Sequence, residues 1–211
     1  MLLQPLLKNE RRASMKKIIK PFKRIAIIDM LSIDNSEIIC DEKSKLAAQV
    51  TKWVNRAISN SADSCYIRLY EATKENIDII IENLSEKELQ IILPFSLNYK
   101  SSLVSAFHFR EKDQIKMPSA KSHSMLFGKS CHSLESIKEA DHEGLDYVFF
   151  SPIFPTPTHP EAKGIGLDML TKACKSTQMK VFALGGINEN NYKKCLDAGA
   201  SGIAAITMFK K

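Results

Sequence analysis

The sequence predicts an eight-stranded parallel α/β barrel, and three observations lead there. Short β-type runs alternate with helical stretches along the chain, which is the pattern of a parallel sheet joined by crossovers. There are eight such runs, the number at which a sheet of this kind closes into a packed barrel. The length of 211 residues is near the lower limit for that fold and gives one sizeable core. An open doubly wound sheet is the competing architecture.

The elements follow in order. Residues 24–30 (RIAIIDM) read as a first strand, ended by polar Ser32, Asp34 and Asn35. Residues 41–59 place Leu46, Ala47, Val50, Trp53, Val54, Ala57 and Ile58 at helical spacing. A second strand spans 65–70 and a helix 74–84, with Ile77, Ile80, Ile81 and Leu84 on one side. The third strand, 90–95, is stopped by Pro94. The fourth and fifth strands are 104–109 and 125–129, and between Phe95 and Phe127 the linking helices are short or missing. Ser133 can cap a helix over 133–143, with Gly144 just past its end. A sixth strand (146–151) leads into a proline-rich loop (152–166), then come a helix (167–177), a seventh strand (180–184), a helix (188–198) and an eighth strand (202–207). Only four residues follow Thr207, so the final barrel helix is absent. Either the N-terminal segment or a partner subunit in a homo-oligomer would cover that gap. Residues 1–22 read as an N-terminal extension and 23–211 as one barrel domain.

Composition excludes several classes. Apolar residues make up 44% and charged residues 26%, which argues against wholesale disorder. The net charge of +6 is spread thinly, with its densest run at Lys16, Lys17, Lys20, Lys23 and Arg24, and no nucleic-acid-binding module accompanies it. Five dispersed cysteines with no C-x-x-C pair indicate neither a zinc ribbon nor a disulfide framework and suit a reducing compartment. No apolar run reaches membrane-spanning length, and the opening MLLQPLL is too short for a secretory core, so a cytoplasmic location is expected. His108, His123, His142 and His159 lack metal-ligand spacing.

In such a barrel chemistry sits in the loops after the strands. The seventh strand ends in Gly185-Gly186 before a helix. Paired glycines let backbone N–H groups approach a ligand, and a helix start favours an anion, so a phosphate seat is expected there and at Ile206-Thr207 after the eighth strand. The plainer reading of the glycine pair is a tight strand–helix turn. The loop after the sixth strand, PIFPTPTHP, is stiffened by its prolines and offers Thr156 and Thr158 as hydroxyl partners for phosphate oxygens. His132 lies just past the fifth strand and just before a helix, which places an imidazole at the barrel mouth for proton transfer near neutral pH. Its neighbour Cys131 does not by adjacency alone make a nucleophilic pair with it.

The segments Gly128 to Glu135, Asp146 to Thr158, Gly164 to Leu167, Ala183 to Asn188 with Asn191, and Asp197 to Ala204 together resemble the thiamine phosphate synthase / thiazole tautomerase superfamily over about eighty residues. The resemblance implies a barrel binding a small phosphorylated thiazole, its phosphate held by Gly186, by the end of the eighth strand at Ala205, Ile206 and Thr207, and by Thr156 and Thr158. Two activities divide the superfamily. The synthase joins a hydroxymethylpyrimidine pyrophosphate to the thiazole phosphate with Mg²⁺; the tautomerase moves a proton to aromatise a carboxythiazole phosphate and needs no metal. Against the synthase pattern Q-x-R-x-K only Arg68 is kept, between Tyr66 and Tyr70. The Asn-Asp that ends the third strand is missing at Pro94-Phe95, and the Lys after T-x-T is His159. The H-x-G-x-x-D segment survives as His108 and Asp113, and Lys163 offers a displaced cation. The context Ser130-Cys131-His132-Ser133 matches a tautomerase, with His132 catalytic and Ser130 beside the substrate, although many synthases carry a similar segment. The expectation is therefore a thiamine-biosynthesis enzyme acting on a thiazole phosphate through His132, without cofactor. The alternatives are a divergent synthase using Asp113, Arg68, Lys163 and Mg²⁺, or a binder without turnover.

Overall fold

The computed structural model describes residues 22–29, 42–70, 72–115, 117, 125–156 and 163–210, with only the backbone of 42–45. Thr158 and His159, expected at the site, lie outside the described residues, as does the segment 1–21. Eight strands form a closed parallel barrel in chain order: β1 (Arg24–Asp29), β2 (Ser64–Arg68), β3 (Gln90–Pro94), β4 (Val104–Phe109), β5 (Leu126–Cys131), β6 (Tyr147–Phe150), β7 (Lys180–Leu184) and β8 (Gly202–Ala205). Pairing of Arg24, Ile25 and Ala26 with Ile203, Ala204 and Ala205 closes the ring, which rules out the open sheet. The helices are α1 (Glu42–Ser59), α2 (Lys74–Leu84), α3 (Leu134–His142), α4 (Gly166–Ser176) and α5 (Tyr192–Asp197).

Alternation along each strand makes two cores. Inside the barrel Ile25, Ile27, Tyr66, Ile92, Tyr147, Phe149 and Phe182 pack together. Outside it Ile67, Leu93, Val148, Ala183 and Ile203 meet the helix faces, including Ile77, Ile80, Ile81 and Leu84 of α2. Phe22, just before β1, is 2% exposed and packs among the interior rings, 5.7 Å from both Tyr147 and Phe182. That contact plugs the end of the barrel where the strands begin. Gly128 is what admits Tyr147 to this interior: a Cβ there would lie 2.3 Å from the tyrosine ring.

The outer layer thins at the places the sequence marks. After β3 there is only a 3-10 turn, Phe95–Leu97, whose Phe95 ring packs 4.3 Å from Phe109 and near Phe107 and Phe127. One aromatic side chain thus covers sheet that a helix would otherwise cover. After β8 a 3-10 turn, Thr207–Phe209, buries Met208 and Phe209, and Lys210 reaches the Trp53 ring of α1. This turn covers part of the sheet beside β8, after which no helix follows among the described residues. Among the described residues no helix is long and apolar enough to cross a membrane.

Candidate active site

A cavity of about 610 Å³ opens at the C-terminal ends of the strands. It collects Arg68 from β2, Ser130 and His132 from β5 and its end, Thr156 from the loop after β6, Gly185 from the end of β7 and Ile206 from the end of β8. A groove of about 770 Å³ on the outer surface between α1 and α2 is larger. It lies along helix flanks, away from the strand ends where barrels carry chemistry.

His132 is placed by its surroundings. Its backbone N–H donates to Ser136 Oγ at 3.2 Å, and Ser133 and Ser136 form a reciprocal capping box that starts α3. Ring Nδ1 lies 2.7 Å from the Ser151 carbonyl oxygen and 3.2 Å from Ser151 Oγ. A carbonyl can only accept, so Nδ1 carries the hydrogen, and in the neutral ring Nε2 is left with its lone pair. Glu111 Oε2 lies 3.6 Å from that Nε2. Cys131 is not part of this arrangement. It points to the outer face, its thiol donates to the Ser136 carbonyl at 3.4 Å, and burial pushes its pKa up to about 11, which disfavours the thiolate at neutral pH.

Deeper in, a directed chain of hydrogen bonds begins at Ser130. Tyr147 Oη donates to the Phe107 carbonyl at 3.2 Å, so it accepts from His108 Nδ1 at 3.3 Å. His108 Nε2 is then the acceptor, and Ser130 Oγ donates to it at 3.0 Å. Burial, assisted by the Arg68 cation, lowers His108 to a pKa of about 3, so the ring stays neutral and the direction holds. The hydroxyl of Ser130 consequently offers the cavity lone pairs.

The phenols that replace the synthase pattern fill the corner beside Arg68. Tyr66 Oη and Tyr70 Oη are 3.3 Å apart, and Arg68 Nε donates to Tyr70 Oη at 3.4 Å. Burial, together with the Tyr70 phenol, raises Tyr66 far above its ordinary value, so it stays neutral. The nearby charges are already paired. Arg68 bonds Asp29 at 3.0 Å, and Arg110 bonds both carboxylate oxygens of Asp113 through its backbone N–H and its guanidinium at 2.8–2.9 Å. Among the described residues no three His, Cys, Asp or Glu side chains converge as a metal site. The donors for a Mg²⁺ ion do not fit: Asp113 is committed to Arg110, and Pro94 ends β3 where a carboxylate would be needed.

The expected phosphate seat is partly rearranged. Gly185 and Gly186 both take positive φ, +93° and +65°, and a Cβ on them would lie 2.6 Å from Pro152 and 2.5 Å from the Pro155 carbonyl oxygen. Ile153 and Phe154 N–H groups donate to the Leu184 and Gly185 carbonyls, so the pair serves to lock the β6 loop onto β7 as well as to line the cavity. The helix expected from residue 188 begins only at Tyr192. Asn191 Oδ1 accepts from the Asn188 N–H, Asn188 Oδ1 from the Asn190 N–H, and Asn191 Nδ2 donates to the Gly186 carbonyl. These local side-chain bonds compete with helix formation and move the helix start away from Gly185-Gly186. Gly186, Ala205, Thr207 and Lys163 are not in the cavity wall. Gly186 is packed under the loop, Ala205 is buried among the outer-core residues, and Thr207 and Lys163 are exposed. Sequence reading passed over Glu111, Tyr147 and Ser151. Ser151 and Glu111 follow strand ends, a signal that could have found them; Tyr147 lies within β6 and had none.

The model of the thiamine monophosphate synthase family matches residues 37–209, and this chain belongs to that family. The chain is 45% identical over 82 residues to the thiamine-phosphate synthase of Coprothermobacter proteolyticus, covering 39% of each chain. It is 40% identical over 84 residues to that of Pyrococcus furiosus, covering 40% of this chain and 41% of the relative. The matched stretches thus span less than half the length of these curated relatives. Among solved structures, a thiamine phosphate pyrophosphorylase from Pyrococcus furiosus superposes with a TM-score of 0.62 over 89% of this chain and 86% of that one, at 22% identity, which speaks to the fold alone.

Proposed function

We propose that this chain binds a small phosphorylated thiazole at the barrel mouth and moves a proton on its ring through His132. The observation that carries the reading is the locked imidazole: Nδ1–H is held on the Ser151 carbonyl at 2.7 Å while Nε2 faces the cavity wall formed with Glu111. A base whose tautomer and orientation are set in advance is what general-base catalysis requires. The phosphate would sit at the loops after β6, β7 and β8, on the Thr156 hydroxyl and on backbone near Gly185 and Ile206, with Lys163, and Thr158 outside the described residues, as further candidates.

The relatives' names favour a second reading, a synthase that joins a pyrimidine pyrophosphate to the thiazole phosphate. That reaction needs cations where pyrophosphate departs. Arg68 and Arg110 each already face a carboxylate, Asp29 and Asp113, and two neutral phenols fill the space beside them. For these reasons we place proton transfer first.

The deciding experiment incubates the full chain with both substrates, with and without Mg²⁺, and identifies the product. Aromatisation of the non-aromatic carboxythiazole phosphate without metal, lost in His132→Ala, is the expected result. Metal-dependent formation of thiamine phosphate would replace this reading with the synthase, and thiazole phosphate binding with neither product would leave a binder.

A further inference from the structure

We propose that Glu111 is the charge partner of His132, stabilising the imidazolium that forms when the ring takes a proton and setting the rate of its transfer. The proposal rests on the proton-transfer reading above. Its basis is the geometry at the mouth. Glu111 Oε2 and His132 Nε2 are 3.6 Å apart, both half exposed at 47% and 46%, and both in the wall of the same cavity. Nδ1 is occupied by the Ser151 carbonyl, so Nε2 alone exchanges a proton with a ligand. Every proton that His132 takes therefore arrives on the nitrogen that faces this carboxylate.

The neighbouring charges leave Glu111 to this task. Arg110 is tied to Asp113 and Arg68 to Asp29, and Lys112 is the remaining charged side chain in the cavity wall. Among the described residues the basic side chain facing Glu111 is His132, and the contact is an ion pair only when the ring carries a second proton. The step balances without any further reactant. The C–H bond at one ring position breaks, its electron pair enters the conjugated ring, and Nε2–H forms. The imidazolium is held beside the carboxylate, then returns the proton to the second carbon, and the neutral histidine is regenerated. Glu111 acts through His132 and is a positioning residue: a fixed negative charge near a cation that exists only after proton removal lowers the barrier and leaves ground-state binding untouched.

The test is steady-state kinetics of aromatisation by wild type, Glu111→Gln, Glu111→Asp and the double variant Glu111→Gln/His132→Ala, with calorimetric binding of the aromatic thiazole phosphate. Glu111→Gln keeps the size and loses the charge. Its kcat is expected to fall by about 10- to 100-fold, less than the roughly 100- to 10,000-fold that a proton-transfer group itself supplies because Glu111 acts only through His132, with KM and product affinity within about 2-fold of wild type, a split that follows from transition-state-only stabilisation. Glu111→Asp should recover part of the loss, and in the His132→Ala background the substitution should have no further effect. An unchanged kcat in Glu111→Gln, or a loss confined to KM, overturns the role of Glu111 and leaves the proton-transfer reading standing. Absence of aromatisation by the wild-type chain overturns both.

Discussion

At the scale of single residues, His108 shows how much a buried polar group constrains a site. It sits between Tyr147 and Ser130 with both ring nitrogens used, and its pKa is lowered to about 3 chiefly by burial. In the unfolded chain the same ring titrates near 6.5. Between these values the unfolded state binds the extra proton. The contribution is therefore intact above about pH 6.5 and is lost as pH falls toward 3, by up to about 1.4 kcal/mol per pH unit from this group alone. Urea denaturation of wild type and His108→Gln at about pH 7 and pH 4 should show the smaller acid loss in the variant; equal losses would mean His108 titrates as it does in the unfolded chain. Residue identity alone marked His108 as a family match and His132 as a proton carrier. Neither hydrogen-bond direction was legible, because each is set by a residue distant in sequence: Tyr147 for His108, and the Ser151 carbonyl for His132.

At the scale of elements, local signals placed most strands and helices to within two or three residues. Helix α2 occupies 74–84 as its apolar spacing demands, with Thr73 Oγ1 accepting the Asn76 N–H at its start. The structure starts α5 later than the spacing predicts, because Asn188 and Asn191 satisfy local backbone groups, the Gly186 carbonyl among them, with their side chains. Strand β5 carries a sharper dependence. With the Tyr147 ring 2.3 Å from where a Cβ would stand, Gly128→Ala forces ring or strand to move. We expect a loss of about 1–3 kcal/mol, as for overpacking elsewhere, measurable by chemical denaturation. The shift should also disturb Ser130, because Tyr147 supports its hydrogen-bond partner.

At the scale of the whole molecule, the barrel is held by closure and by what fills the places without helices. Phe22 plugs one end, Phe95 covers the outer face at β4 and β5, and Phe209 the face beside β8. Replacing Phe22 with Ala empties a fully packed position, and such truncations cost about 3–5 kcal/mol, a large share of the roughly 5–15 kcal/mol that holds an ordinary domain. A fall of that size in the unfolding free energy is expected; a change under about 1 kcal/mol would mean the barrel end closes without it. The same scale explains the asymmetry of the mouth. The side of β5 to β8 carries the long loop, the glycine pair and His132, while beside β2 and β4 two phenols and the Arg68–Asp29 and Arg110–Asp113 ion pairs line the mouth.

The sequence by itself determined the element types, the barrel class and the loops that follow β5 to β8, because periodicity, glycine pairs and capping serines act over a few neighbours. Only the tertiary structure decided which of their residues share a cavity. It set Gly186, Ala205, Thr207 and Lys163 outside the wall, gave His132 one available nitrogen, and brought Glu111 to it from another strand end. Strand parity and loop packing decide which way a side chain faces, and both depend on contacts between residues far apart in the chain.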